Sequence, residues 1–162
     1  RYISVTGVQT CALPIYFSFT PEGAYKVADV IPTKDANFCY DNLLGKAQQL
    51  PFPAKRNNLI IVESRSHTSD ETLEYIECIK SKHPEVISIS RGSSLKMCMI
   101  AEGNADLYPR LSLSSEWDTA AGQAIVEGAG FKVLTYETQE RMSYNKEELL
   151  NPWFLVKGNA KI

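Results

Sequence analysis

The run A-D-L-Y-P-R-L-S-L-S-S-E-W-D-T-A-A-G, residues 105–122, sets an arginine at the end of one predicted element and an aspartate at the start of the next. Arg110 closes a stretch that reads as a strand, and Asp118 opens a stretch that reads as a helix. A cation and a carboxylate at such short spacing suit a phosphate and a metal ion held side by side. A helix start offers N–H groups without intrahelical partners and the positive end of the peptide dipole, and both favour phosphate. A carboxylate in that turn can give oxygen ligation to a hard cation such as Mg²⁺. The same aspartate is equally well placed as a cap or dipole partner. Glu116, in the same turn, is the competing carboxylate and is expected to face solvent.

Two further clusters could bind an anion. G-S-S-L-K (92–96) is a Gly-Ser turn leading into a helix. Its backbone and hydroxyl donors, with Lys96 one turn on, make an anion cradle. It lacks the G-x-x-x-x-G-K spacing of a P-loop, and capping alone would account for Ser93. Ser64, Arg65, Ser66 and His67 follow a predicted strand at 59–63. Ligands in open α/β folds bind at that end of a strand. His67 can hydrogen-bond a phosphate or sugar oxygen, more strongly when protonated. A surface histidine in a capping loop is the alternative. His83 has no motif around it and reads as a surface residue.

Taken together, four strings resemble the inositol monophosphatase superfamily, and within it the 3'(2'),5'-bisphosphate nucleotidases. They are G-S-S-L-K, A-E-G-N-A-D-L-Y-P-R (101–110), W-D-T-A-A-G (117–122) with its following E-G-A-G turn, and L-L-N-P-W-F (149–154). The resemblance runs from about residue 16 to about residue 157 and is weaker over 31–58. It implies a layered α/β fold of the sugar-phosphatase type. The C-terminal domain would hold a mixed central sheet flanked by helices, beside a remnant hairpin of the N-terminal domain. It also implies a lithium-sensitive, Mg²⁺-dependent hydrolase of sulfate assimilation, which removes the 3'-phosphate of adenosine 3',5'-bisphosphate to give AMP. By the same resemblance, Asp118 is the catalytic residue that ligates Mg²⁺ and touches the substrate. His67 contacts the nucleotide, while Ser93, Lys96 and Arg110 hold the phosphate that is not cleaved. An arginine can grip that phosphate bidentately. Tyr108 and Trp117 could flank the adenine, although core packing is the commoner use of such rings. The implied location is the cytoplasm or the cytoplasmic face of the inner membrane; no basic amphipathic helix argues for membrane binding. Oligomeric state stays open. The alternatives are a sugar phosphatase of the inositol monophosphatase type and a non-catalytic nucleotide-binding module. The extra cations favour a bisphosphate over a monophosphate.

One part of that pattern is missing. The superfamily completes its metal site with a glutamate and a D-P-x-D-G-T-type motif, and neither is found here. One carboxylate is a poor Mg²⁺ site, because Mg²⁺ needs near-octahedral oxygen coordination. The chain by itself is therefore expected to lack phosphatase activity. Residues 5–15, V-T-G-V-Q-T-C-A-L-P-I, resemble an in-frame translation of a short-read sequencing adaptor, and residues 1–15 are left out of the fold. The region 16–57 reads as the remnant of the metal-binding domain and a connector, and 58–162 as the substrate-binding domain.

The elements that must position these residues follow from periodicity and punctuation. The chain of 162 residues is 44% hydrophobic and 22% charged, ordinary for a globular protein. Its net charge of −2 argues against a non-specific nucleic-acid binder. No apolar run approaches the ~18 residues that span a bilayer. Four cysteines lack C-x-x-C or zinc spacing, and Cys78 and Cys98 are expected to be buried. Strands are expected at 16–19 and 25–30 as a hairpin, then at 59–63, 86–90, 105–111, 131–135 and 153–156. A helical turn is expected near 41–49. Helices are expected after Ser69 or Asp70, with Leu73, Ile76 and Ile79 facing inward, at 95–101 and at 117–128. Strands alternating with helices mean an α/β domain with a parallel or mixed sheet.

Overall fold

The computed structural model describes residues 3–5, 16–20, 23–28, 48–53, 56–65, 68–92 and 95–158. His67 and Ser93 lie outside these, as does most of the expected helical turn at 41–49.

The first sheet is antiparallel, in the order β1 (Ile3–Val5), β2 (Tyr16–Thr20), β3 (Gly23–Ala28) and β4 (Gln48–Gln49). The expected hairpin is present, and the pairing of Thr20 with Gly23 begins the return earlier than position 25. Ile3 lies opposite Phe19, so a strand forms inside the segment left out of the fold. Three residues of β-branched alternation are too few to read as a strand alone. Gln48 and Gln49 pair with Lys26 and Tyr25, a contact that two polar residues give no sign of in advance.

The second sheet has five strands, β5 (Ile60–Ser64), β6 (Ile87–Arg91), β7 (Leu107–Arg110), β8 (Lys132–Thr135) and β9 (Phe154–Lys157), in the order β6-β5-β7-β9-β8. Strands β6, β5 and β7 run parallel, and β9 runs antiparallel to both β7 and β8. The sheet is mixed, one of the two arrangements that the alternation of elements allows. Both faces are covered, and the period of two sorts the side chains between them. Ile61, Leu107 and Leu155 pack with Ile76 and Ile79 of the helix α1 (Asp70–Lys82). Val62, Tyr108, Phe154 and Val156 face the other way, into a core with Met97, Ile100, Ile125 and Val126. Those last four come from α2 (Leu95–Ala101) and α3 (Glu116–Gly128). Each such fully buried aliphatic side chain contributes roughly 1.5–3 kcal/mol. α3 also lies against β2 and β3, so it sits between the two sheets.

Local chemistry explains where the helices begin and which way they face. Ser69 caps α1, its Oγ accepting from the Thr72 N–H at 3.3 Å and donating to the Leu111 carbonyl at 2.7 Å. Thr72, not Leu73, faces inward, because its hydroxyl accepts the Leu111 N–H at 3.1 Å. Leu73 is left 45% exposed. Cys78 is exposed and Cys98 half-buried, so the expectation of buried thiols fails outright for Cys78. α2 has the expected bounds and is followed by Gly103 at φ +79°, where a Cβ would stand 2.8 Å from the Phe52 carbonyl oxygen. That closeness lets the Phe52 N–H reach the Glu102 carbonyl at 3.0 Å. Arg56 binds Asp106 at 2.8 Å and the Gly103 carbonyl, tying the stretch before β5 to the stretch before β7. A Cβ on Gly122 would come within 2.6 Å of the Met97 sulfur, so glycine lets α3 close on α2.

Candidate active site

The three parallel strands end at one edge of the sheet, and a helix begins beyond each. Ser64 ends β5 opposite Arg91, which ends β6. The Arg65 N–H donates to the Arg91 carbonyl at 3.2 Å, holding the two strand ends together. Arg110 ends β7. The carboxyl edge therefore carries Arg91 and Arg110 at strand ends and Arg65 just beyond one, with Lys96 and Asp118 in the first turns of the helices that follow.

Lys96 is the buried member of this set, only 2% exposed. Its Nζ donates to the Arg91 carbonyl at 3.4 Å and stands 5.0 Å from the Tyr108 ring centroid, over the ring's electron-rich face. Burial, aided by the nearby Arg110 charge, lowers its pKa from 10.5 to about 8. Arg110 is half-buried and donates to the Leu113 carbonyl at 3.0 Å, bracing the loop into α3. Tyr108 packs edge-to-face on Phe154, with centroids 5.9 Å apart. Burial first, with opposing effects from Arg110 and Asp118, pushes its hydroxyl up to about 12, so it stays neutral. Tyr108 is thus a core residue as expected, whereas Trp117, beside Asp118, is 70% exposed.

Asp118 occupies the third position of α3 and is exposed. Its Oδ2 accepts the Ser115 N–H at 3.0 Å, one half of a capping box. The cap reading and a binding role therefore share one side chain. The helix start is less open to an anion than its position suggests. The Glu116 N–H is taken by the Leu149 carbonyl at 2.9 Å and the Asp118 N–H by the Ser115 carbonyl at 3.0 Å. Glu116 corrects the sequence reading, since it is buried and not solvent-facing. Its carboxylate accepts the Asn145 N–H at 2.7 Å and the Lys146 N–H at 3.3 Å, and pairs with the Lys146 ammonium. The Lys146 contact, above all, holds this carboxyl below its ordinary range.

Asn151, to which the sequence reading gives no role, holds the start of α3. It is buried, and the two N–H groups of its Nδ2 are shared among the Ser115 carbonyl at 2.8 Å, Thr119 Oγ1 at 2.9 Å and Ser114 Oγ at 3.1 Å. Its signal was present in L-L-N-P-W-F, but nothing near it in sequence shows what it holds.

Among the described residues, no three His, Cys, Asp or Glu side chains converge to hold a metal ion. Asp118 offers a single carboxylate, already accepting one backbone N–H. The described residues alone therefore do not fit a resident Mg²⁺, whose shell demands several oxygens in fixed geometry. What they do offer is a cationic edge for anionic oxygens.

A mixed sheet clad by helices, with cations and one carboxylate at the shared carboxyl edge, defines a layered α/β protein with a cationic rim. The chain belongs to the inositol monophosphatase family, whose sequence profile matches residues 8–160. It is 42% identical over 112 residues to the 3'(2'),5'-bisphosphate nucleotidase CysQ of Salmonella typhimurium, a match covering 69% of this chain and 44% of that protein. It is 38% identical over the same length to CysQ of Escherichia coli K12, with the same coverage. The chain thus spans less than half the length of these relatives. Among solved structures, CysQ from Bacteroides thetaiotaomicron superimposes with a TM-score of 0.78 at 38% identity, covering 99% of this chain and 63% of that one. The Staphylococcus aureus inositol monophosphatase SaIMPase-II, at 17% identity and a TM-score of 0.58, shares the fold.

Proposed function

We propose that the whole protein is a 3'(2'),5'-bisphosphate nucleotidase, which hydrolyses the 3'-phosphate of adenosine 3',5'-bisphosphate to give AMP. Mg²⁺ is its proposed cofactor, with Asp118 contributing one ligand and the remainder coming from outside the described residues. Lys96 and Arg110 grip the phosphate that stays on the nucleotide. His67 and Ser93 are proposed to add contacts to the ribose and to that phosphate.

The observation that carries this reading is the pairing of buried Lys96 with Arg110 beside Asp118. A monophosphate needs no second cationic site remote from its metals; a bisphosphate does. The names of the relatives matched at 38–42% identity point the same way. With a single carboxylate and no converging ligand set, the chain alone is expected to bind nucleotide without turning it over.

Isothermal titration of the chain with adenosine 3',5'-bisphosphate tests this, alongside Arg110→Ala. The expected result is measurable binding that weakens about tenfold or more in the variant, the loss of one charge-assisted bidentate contact. Equal binding by chain and variant, or tighter binding of inositol phosphate than of the nucleotide, would overturn the assignment.

A further inference from the structure

Between β8 and β9 the chain crosses the start of α3 as a strap, residues 142–151, and the contacts it makes there are unusually dense. Gln123 Nε2 donates to the Met142 carbonyl at 2.9 Å. The Tyr144 hydroxyl donates to Gln123 Oε1 at 2.8 Å and reaches Thr119 Oγ1 at 3.3 Å. Asn145, at φ +66°, turns its N–H onto Glu116. Lys146 binds the same carboxylate and also the Ser143 carbonyl at 3.2 Å. The Leu149 carbonyl takes the Glu116 N–H, Leu150 bridges to Ser115, and the Asn151 N–H donates to the Ser114 carbonyl at 2.8 Å. Residues 114, 115, 116, 119 and 123 are all gripped by the strap, while Trp117 and Asp118 on the same turn are exposed.

This is more fastening than a helix start needs. A cap satisfies orphan N–H groups with one or two acceptors. Here an ion pair, a left-handed residue and a buried amide whose two N–H groups are shared among three acceptors converge on one turn. Two of these cost free energy in isolation. Asn145 occupies a conformation that L-residues adopt sparsely, and Asn151 Oδ1 is buried with no hydrogen-bond partner. Such costs persist where the surroundings over-determine them, and they cluster where a side chain must be held still.

We propose that Glu116, Lys146 and Asn151 are positioning residues: the strap locks the first turn of α3 so that the Asp118 carboxylate is presented outward in one fixed orientation. Glu116 and Asn151 grip the turn on either side of Asp118, and the Ser115 N–H then fixes Oδ2 directly. The purpose given to this fixing rests on the proposed function. The fixing itself can be measured with no ligand present.

Amide hydrogen exchange of the full chain, followed residue by residue, provides the test. The reporter is the Ser115 amide, which donates to Asp118; the amides of Ile125 and Val126, later in α3, report on the helix as a whole. Asn151→Asp keeps the volume but turns a carboxylate toward the Ser115 carbonyl. It is expected to speed Ser115 exchange about tenfold while Ile125 and Val126 stay within about twofold, the pattern of a local opening. Lys146→Met, on a half-buried side chain, is expected to speed Ser115 by about threefold, and Lys146→Arg to restore protection. In an Asp118→Ala background, Asn151→Asp should add little further at Ser115, because the two changes act on one contact. An unmoved Ser115 amide would overturn the proposal. So would equal acceleration along all of α3, which would give the strap a general stabilising role. Tighter binding of inositol phosphate than of the nucleotide would refute the proposed function and leave this result standing.

Discussion

Lys96 combines burial with a charge that the proposed nucleotide needs, and the two requirements respond to pH in opposite directions. Its pKa falls to about 8 in the folded chain against 10.5 when solvated. Between those values the unfolded chain binds more protons than the folded one, so this residue's contribution to stability improves as pH rises from about 8 toward 10.5. Anion binding uses the protonated amine, so affinity should hold steady below about pH 8 and decline above it. Titration of adenosine 3',5'-bisphosphate across pH 7 to about 9.5 checks this, and Lys96→Arg, charged throughout, should flatten the profile. A decline of equal steepness in Lys96→Arg would place the titrating group elsewhere. The places of Lys96, Arg110 and Asp118 at one end of the sheet were legible, because each lies at a strand end or a helix start that local punctuation marks. Glu116 was misread for a physical reason: a carboxylate in a first helical turn ordinarily serves the dipole from solvent. Its true partners, Asn145 and Lys146, lie 29 and 30 positions away, where no local pattern reaches.

Among the elements, the helices carried their own punctuation and the strands did less so. α2 could be bounded correctly because a Gly-Ser turn precedes it and Gly103 follows it. α1 was placed correctly but rotated slightly in the reading, since the pull of Leu111 on Thr72 is tertiary and not periodic. The two-residue β4 was invisible, its pairing being lent by the free edge of β3. Gly122 shows an element-scale constraint with a measurable sign. In Gly122→Ala, the helix-propensity gain of about 1 kcal/mol opposes a squeeze against a flexible methionine, and near-neutral stability is expected. Gly122→Leu has no room to yield, because Met97 is itself in the core, and should cost about 1–3 kcal/mol in denaturant unfolding. Since α2 carries Lys96 and α3 carries Asp118, the same change should weaken nucleotide binding as well. Unchanged stability and affinity in Gly122→Leu would show that the two helices can separate at no cost.

For the whole molecule, the placement of α3 between the sheets has a thermodynamic consequence. The helix runs against β2 and β3 and packs Ile125 and Val126 into the core of the five-stranded sheet. Losing either sheet therefore removes neighbours from the same helix. The heat absorbed on melting should therefore arrive as one calorimetric peak, with calorimetric and van't Hoff enthalpies in agreement. Two resolved peaks would mean that the hairpin sheet melts separately. A helix shared in this way ties the proposed binding rim to both sheets, so loss of nucleotide binding on heating should coincide with loss of the fold.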